Sequence, residues 1–367
     1  MKQYPCLELN TTKLRENIDI VKKQCSEQGV EICAVVKGIN GLIPACREYE
    51  KAGVSFLASS RMEHLQGIKE AGIQTPTMCV RIPMLSEVEE LVTWCDSSLQ
   101  SEMTVLKQVN DAAGKQGKTH QVILMFDLGD LREGIWALDE MMETAKFVEA
   151  AKHLELIGTG VNLGCYGSIV TTVEKMNELV EKTEKVEAEI GRQLRYICGG
   201  STQAMAHIWK KEMPQRINLL RIGELPIHAR GMSDFYGSWD LRYLHQDVFT
   251  LKAEVVEVKT KPSHPVGVLG KDSFGKTQTY TDRGMHKRAV LAIGKADYGS
   301  YEDIYICRSD LKVLGASGDH TLLDVEDAEK EVRVGDIIEF GIRYSSGIYL
   351  TSSTNVKMTT TNEDHRQ

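Results

Sequence analysis

The sequence predicts a (β/α)8 TIM-like barrel over residues 1–235, followed by a smaller, mostly β C-terminal domain over residues 236–367. Three observations carry this. Short apolar runs alternate with helical stretches at intervals of roughly 30 residues, the signature of βα units. About eight such units fill residues 10–230, which fits a closed barrel better than an open sheet. After Arg230 the pattern changes to short strands separated by Gly, Asp and Ser turns, with no convincing long helix beyond Gln246.

Taken in order, Leu7–Asn10 starts as a strand, and Asn10-Thr-Thr supplies an N-cap for a helix over Lys13–Gln28. The run Glu-Ile-Cys-Ala-Val-Val from Glu31 is rich in β-branched residues, as in a strand buried on both faces of a parallel sheet. Helix Ile43–Ala52, strand Val54–Ala58, helix Met62–Ala71, strand Pro76–Val80 and helix Leu85–Trp94 follow. Helix Glu102–Gln116 then runs into strand Gln121–Phe126. Helix Leu138–Lys152, strand Leu156–Asn162, helix Val170–Ile190, strand Arg195–Cys198 and strand Ile217–Arg221 complete the barrel. Met232–Leu244 is aromatic-rich and polar. Strands are expected at Phe249–Lys259, Ala289–Ile293, Leu311–Gly315, Thr321–Val325 and Asp336–Gly341, and the polar tail from Thr359 to Gln367 is expected to fray.

Composition narrows the function classes. Of 367 residues, 42% are hydrophobic and 26% charged, ordinary for a globular protein, and the net charge of −8 gives no reason to expect nucleic acid or an anionic membrane as partner. No apolar run reaches the length of about 18 residues that a transmembrane helix needs. The N-terminus lacks the apolar core of a signal peptide. Nine scattered cysteines without CxxC or Cys/His clusters point to reduced thiols, no zinc site and a cytoplasmic location.

Chemistry-bearing residues gather at predicted strand ends, where α/β folds build their sites. Lys37 ends the first barrel strand. A lysine desolvated there loses its proton readily, as a Schiff-base lysine must, whereas one that snorkels into water does not. Arg132, in Asp127-Leu-Gly-Asp-Leu-Arg-Glu-Gly134, can clamp an anionic oxygen or pair with Asp127 or Asp130. Cys198-Gly-Gly-Ser-Thr202 offers backbone N–H groups and hydroxyls to a phosphate, or makes an ordinary turn. Arg221-Ile-Gly-Glu224 follows the last barrel strand, the usual neighbourhood of a TIM-barrel phosphate site.

Together these residues resemble the fold-type III pyridoxal-phosphate (PLP) enzymes of the alanine racemase family, and most closely its ornithine racemase-like branch. The resemblance runs over nearly the whole chain. It rests on Ala34-Val-Val-Lys-Gly38, Phe126 to Gly134, Cys198 to Thr202, Leu220-Arg-Ile-Gly223, Ala292-Ile-Gly-Lys-Ala-Asp297 and Leu314 to His320. It implies a PLP-dependent amino-acid racemase, a homodimer whose active sites are completed by the partner's β domain, and ornithine as substrate, with lysine or a broader set as alternatives. Lys37 would hold the cofactor and act as a base on one face. Arg221 would face the pyridine nitrogen. Ser201, Thr202 and the backbone of Gly223 and Glu224 would bind phosphate. Arg132 would lie near the phenolic oxygen or the substrate carboxylate, and Asn162 beside the ring.

The sequence also departs from the family pattern. Where alanine racemases carry the second base, a tyrosine, this chain has Lys295; either Lys295 is that base, or Tyr298 replaces it and Lys295 pairs with Asp297. Gly41 stands in place of a phosphate-binding tyrosine, for which Tyr344 and Tyr349 are candidates. Gly318 stands in place of a methionine near the substrate carboxylate, next to Asp319. These two losses imply a roomier pocket. A second substrate amine would need an acid, for which Asp297, Asp319, Glu224 and Asp234 are candidates. Other readings are decarboxylation or retro-aldol cleavage on the same cofactor, the latter wanting a metal that the isolated His264 and His286 do not provide, or a non-catalytic PLP carrier, against which the β domain counts.

Overall fold

The β-branched run at Glu31 forms a barrel strand in the computed structural model, which describes residues 3–236, 239–277 and 279–362, without the side chains of residues 234–236. The chain divides into two compact units. Leu14–Ile227 forms one; the segment through Lys13 joins the chain from His228 onward to form the other.

In the first unit, eight parallel strands close on themselves: β2 (Glu31–Val35), β3 (Phe56–Ser59), β4 (Thr77–Cys79), β5 (Ser97–Gln100), β6 (His120–Phe126), β7 (Leu154–Val161), β8 (Tyr196–Ser201) and β9 (Leu219–Ile222), with β9 pairing back onto β2. Alternate residues of each strand point inward, and Cys33, Phe56, Ala58, Met78, Leu99, Ile123, Met125, Ile157, Tyr196, Cys198 and Leu219 pack as one buried cluster. The intervening helices are α2 (Ile43–Ala52), α3 (Met62–Glu70), α4 (Val88–Trp94), α5 (Met103–Lys115), α6 (Leu138–Ala150), α7 (Val173–Ile190) and the short α8 (Met205–Lys210). Their ends follow local rules. Thr172 Oγ1 accepts from the Lys175 N–H at the start of α7, and Gly191, at φ 74°, ends it in the left-handed region.

Helix α1 (Thr11–Ser26) begins on the cap expected from the sequence, with Asn10 Oδ1 accepting from the Lys13 N–H at 2.9 Å. The strand before it, β1 (Cys6–Asn10), does not join the barrel. It lies antiparallel to β10 (Phe249–Pro262) and parallel to β16 (Lys357–Thr361). The remaining strands, β11 (Met285–Leu291), β12 (Ile304–Ile306), β13 (Lys312–Ala316), β14 (Thr321–Asp324) and β15 (Ile337–Ile342), extend this sheet in the order β12-β15-β10-β11-β14-β13. Three helices belong here: α9 (Ala229–Tyr236), α10 (Lys295–Tyr298) and α11 (Tyr344–Ser352). The sequence reading missed all three. Residues 363–367 of the tail expected to fray lie outside the described residues.

Among the described residues no helix is long and apolar enough to cross a membrane, and no group of three His, Cys, Asp or Glu side chains is placed to hold a metal ion.

Candidate functional site

The carboxyl ends of the barrel strands bring five side chains into one electrostatic neighbourhood. Lys37 follows β2 directly and opens a single 3-10 turn, Lys37–Ile39. Burial lowers its pKa below the usual lysine value, and the Arg132 and Arg221 guanidiniums push the same way, opposed by Cys165 and Glu133. Among the described residues no carboxylate lies within ion-pair distance of its ammonium. An amine so placed is readily available in its neutral, nucleophilic form.

Arg221 sits on β9, buried among the inward-facing side chains. Its Nη1 donates to Cys198 Sγ at 2.9 Å, and its Nη2 donates to Val161 O at 2.9 Å and to Asn162 Oδ1 at 3.3 Å. These contacts fix the planar guanidinium, and among the described residues no carboxylate pairs with it. Asn162 thereby commits its oxygen, while its Nδ2 is buried and finds no partner among the described residues. A buried donor left unpaired is costly, so this amide is prepared for an acceptor that is not part of the chain.

Arg132 is anchored by Glu133, against which both its Nε and Nη2 donate, and its Nη1 donates to Cys165 Sγ at 2.7 Å. The carboxylates that might have held it are engaged elsewhere. Asp127 Oδ1 accepts from the Gly129 and Leu131 N–H groups, and Asp130 accepts from the backbone of Cys165, Tyr166 and Gly167.

At the ends of β8 and β9 the register shifts between Cys198 and Ser201, and Gly200 takes φ +106°, a backbone position that strains other residues. Ser201 and Thr202 follow. Thr202 Oγ1 accepts from the Gly223 N–H at 3.3 Å, so the two loops expected to hold a phosphate touch each other. Gly223 leaves little room for a side chain: a Cβ there would meet Val35 O at 3.0 Å. Next to it, burial raises the Glu224 carboxyl to about 7. Hydroxyls, glycine backbone, two arginines, an unpaired buried amide and a desolvated lysine at one barrel mouth fit an anionic, carbonyl-bearing cofactor.

Gly41 does not leave empty space at this mouth. It takes φ +65°, and a Cβ would lie 2.8 Å from the His64 Cβ, so α3 occupies the room where a larger residue would stand.

The other sequence candidates lie in the second unit. Lys295 starts α10; its N–H donates to Ser317 O at 2.9 Å, and its Nζ lies 4.0 Å from the centre of the Phe274 ring and 5.8 Å from that of Tyr301. It does not pair with Asp297. That carboxylate is buried and accepts from Ser353 Oγ at 2.8 Å and from Asn355 Nδ2 at 3.0 and 3.2 Å. Tyr298 is fully buried, its hydroxyl 2.6 Å from Thr321 Oγ1, and burial pushes its phenol up to about 12. The Gly318 carbonyl accepts from the Ala296 N–H, and Asp319 is exposed. Tyr344 starts α11 edge-on to His228, and the half-exposed Tyr349 packs over Gly299. The Asp234 side chain lies outside the described residues. Sequence reading missed Cys165 and Cys198 as partners of the two arginines. Cys198 stood in the quoted Gly-Gly-Ser-Thr motif, but nothing in the sequence paired Cys165 with an arginine 33 positions earlier.

A family model for the alanine racemase N-terminal domain matches residues 9–226. An ornithine racemase of Acetoanaerobium sticklandii is 37% identical over 94% of this chain and 96% of its own length. A lysine racemase of Thermotoga maritima is likewise 37% identical, over 93% of this chain and 94% of its own. A crystal structure of alanine racemase from Streptomyces lavendulae superposes with a TM-score of 0.78 at 17% identity, covering 99% of this chain and 98% of that one.

Proposed function

The chain belongs to the alanine racemase family and is an amino-acid racemase, and on that premise we propose that it interconverts L- and D-ornithine with PLP as cofactor, lysine being the next substrate. The observation that carries this reading is Lys37: a lysine at a barrel strand end, its proton loosened by burial and two arginines, with no ion-pair partner among the described residues. Bound at Lys37, PLP supplies an electron sink that makes the substrate Cα–H acidic.

The chain's own groups do the rest. Lys37 Nζ takes or returns the α-proton on one face. Arg221 would face the pyridine nitrogen; being permanently charged, it would leave that nitrogen unprotonated and restrain side reactions. Ser201, Thr202 and the backbone of Gly223 and Glu224 would bind phosphate. Asn162 would lie beside the ring with its spare N–H, and Arg132 would face the phenolic oxygen or the substrate carboxylate. Lys295 of a second copy moves the proton on the opposite face, which makes the working unit a homodimer. Gly318 and Asp319 border the substrate's far end, whereas Asp297 braces the turn that carries Lys295. The nine free cysteines, most of them buried, support a reducing, cytoplasmic setting.

The test is incubation with L-ornithine, L-lysine and L-alanine in deuterated water. Loss of optical rotation with deuterium entering Cα, fastest for ornithine, is the expected result. Carbon dioxide release, or turnover of alanine alone, would overturn the substrate assignment.

A further inference from the structure

The Lys295 ammonium is held by aromatic faces and not by an acid. Among the described residues no carboxylate lies within ion-pair distance of it, and Asp297, two positions on, is committed to Ser353 and Asn355. The Phe274 ring centre is 4.0 Å from Nζ and that of Tyr301 5.8 Å from it. Phe274 belongs to the long connection between β10 and β11, and that connection is locally built. Asp272 Oδ1 accepts from the Phe274 and Lys276 N–H groups at 2.9 and 2.8 Å, Asp272 O accepts from the Gly275 N–H at 2.9 Å, and Gly275 takes φ +75°. This closed turn carries a ring that remains half exposed, an arrangement apolar burial alone does not explain.

We propose that Phe274, with Tyr301 as a second, more distant ring, is a positioning residue for proton transfer by Lys295. This rests on the reading of Lys295 as the opposite-face base. A carboxylate partner would hold the proton on Nζ firmly, whereas a ring face attracts the ammonium weakly and directionally, and so orients Nζ without locking its charge. In one direction of racemisation the Lys295 ammonium gives a proton to Cα and becomes an amine, while Lys37 Nζ takes the proton leaving the other face. In the reverse direction the roles exchange, and the protons balance.

The experiment replaces Phe274 in the holoenzyme with mono-, di- and trifluorophenylalanine, which weaken the ring's negative face with little change of shape, alongside Phe274→Leu and Phe274→Trp. The expected result is a graded fall in kcat of about threefold to tenfold across the fluorinated series, with KM little changed, a similar or larger loss in Phe274→Leu and recovery in Phe274→Trp. A kcat independent of fluorination would overturn the positioning role. Lys295→Ala separates the two levels of the claim. Near-complete loss of racemisation there with a flat fluorinated series removes only the role of Phe274; retained racemisation in Lys295→Ala removes the second-base reading beneath it.

Discussion

Replacing Tyr298 by phenylalanine distinguishes the two candidates for the second base. Thr321 Oγ1 carries one hydrogen and donates it to Ile293 O at 2.7 Å. The 2.6 Å contact between Tyr298 and Thr321 is therefore donated by the phenol. Tyr298 is buried, its proton is already placed on Thr321, and burial pushes its phenol up to about 12. Such a group neither accepts a proton near neutral pH nor reaches a substrate. Tyr298→Phe removes one buried hydrogen bond and leaves Thr321 its own donor bond, a cost of about 1 kcal/mol. Thermal unfolding at fixed protein concentration should show a melting temperature lower by a few degrees at most. The racemisation rate should stay within about twofold, since removing a true general base costs roughly 100-fold to 10,000-fold. A rate loss of that order with an unchanged melting temperature would refute the reasoning and make the tyrosine the base.

Three further outcomes are expected. Lys37→Ala should abolish racemisation and leave no borohydride-reducible bond to the chain, yet melt no lower than the parent apoprotein, because it removes a partly buried amine that has no ion-pair partner among the described residues; a reducible adduct in that variant would refute the assignment. Burial raises the Glu224 carboxyl from 4.5 to about 7, so the folded state holds this proton more tightly than the unfolded one. Its stability contribution is present at low pH and lost as pH rises through about 7, a difference of at most about 3 kcal/mol. Urea midpoints of the apoprotein and of Glu224→Gln should therefore separate in favour of the variant as pH rises from about 5 to about 8, and parallel curves would count against it. Gly294→Ala places a Cβ 2.3 Å from Gly318 O, a backbone atom, and should cost about 1–3 kcal/mol, whereas Gly318→Ala, with nothing within 4 Å of its Cβ, should be tolerated; equal urea midpoints would contradict this.

Some of this was legible in the sequence because it depends on local pattern. The strand ending at Lys37, the Asn10 cap and the alternation of strands and helices follow from β-branched runs and helical periodicity. Strand β5, Ser-Ser-Leu-Gln, was not legible, since three of its four residues are polar. It is a buried strand because Ser97 donates to Thr77 O, Ser98 meets His120 Nε2 and Gln100 donates to Ser98 Oγ. Two of those partners, Thr77 and His120, lie on the neighbouring strands β4 and β6. Helix α11, Tyr-Ser-Ser-Gly-Ile-Tyr-Leu-Thr-Ser, reads as strand or turn by propensity. Its start is fixed by Ser346 Oγ, which accepts from the Arg343 N–H and donates to Asp303 O, a contact 43 positions away. At the candidate site the residue types were legible, but what holds each was not. Asp297 looked like a partner for Lys295 two positions away, and tertiary packing gave it to Ser353 and Asn355 instead.

The pairing of the first strand also sets an order of events during synthesis. Cys6 leaves the ribosome long before its neighbours in the sheet, Lys252 and Lys357, which emerge only after the whole barrel has been made. At translation speeds of about 5–20 residues per second, that strand waits tens of seconds with both edges open, long enough for the barrel to fold behind it. Its alternation of Leu7 and Leu9 with Glu8 gives the waiting segment one charged face, which discourages pairing with another nascent chain in the interval.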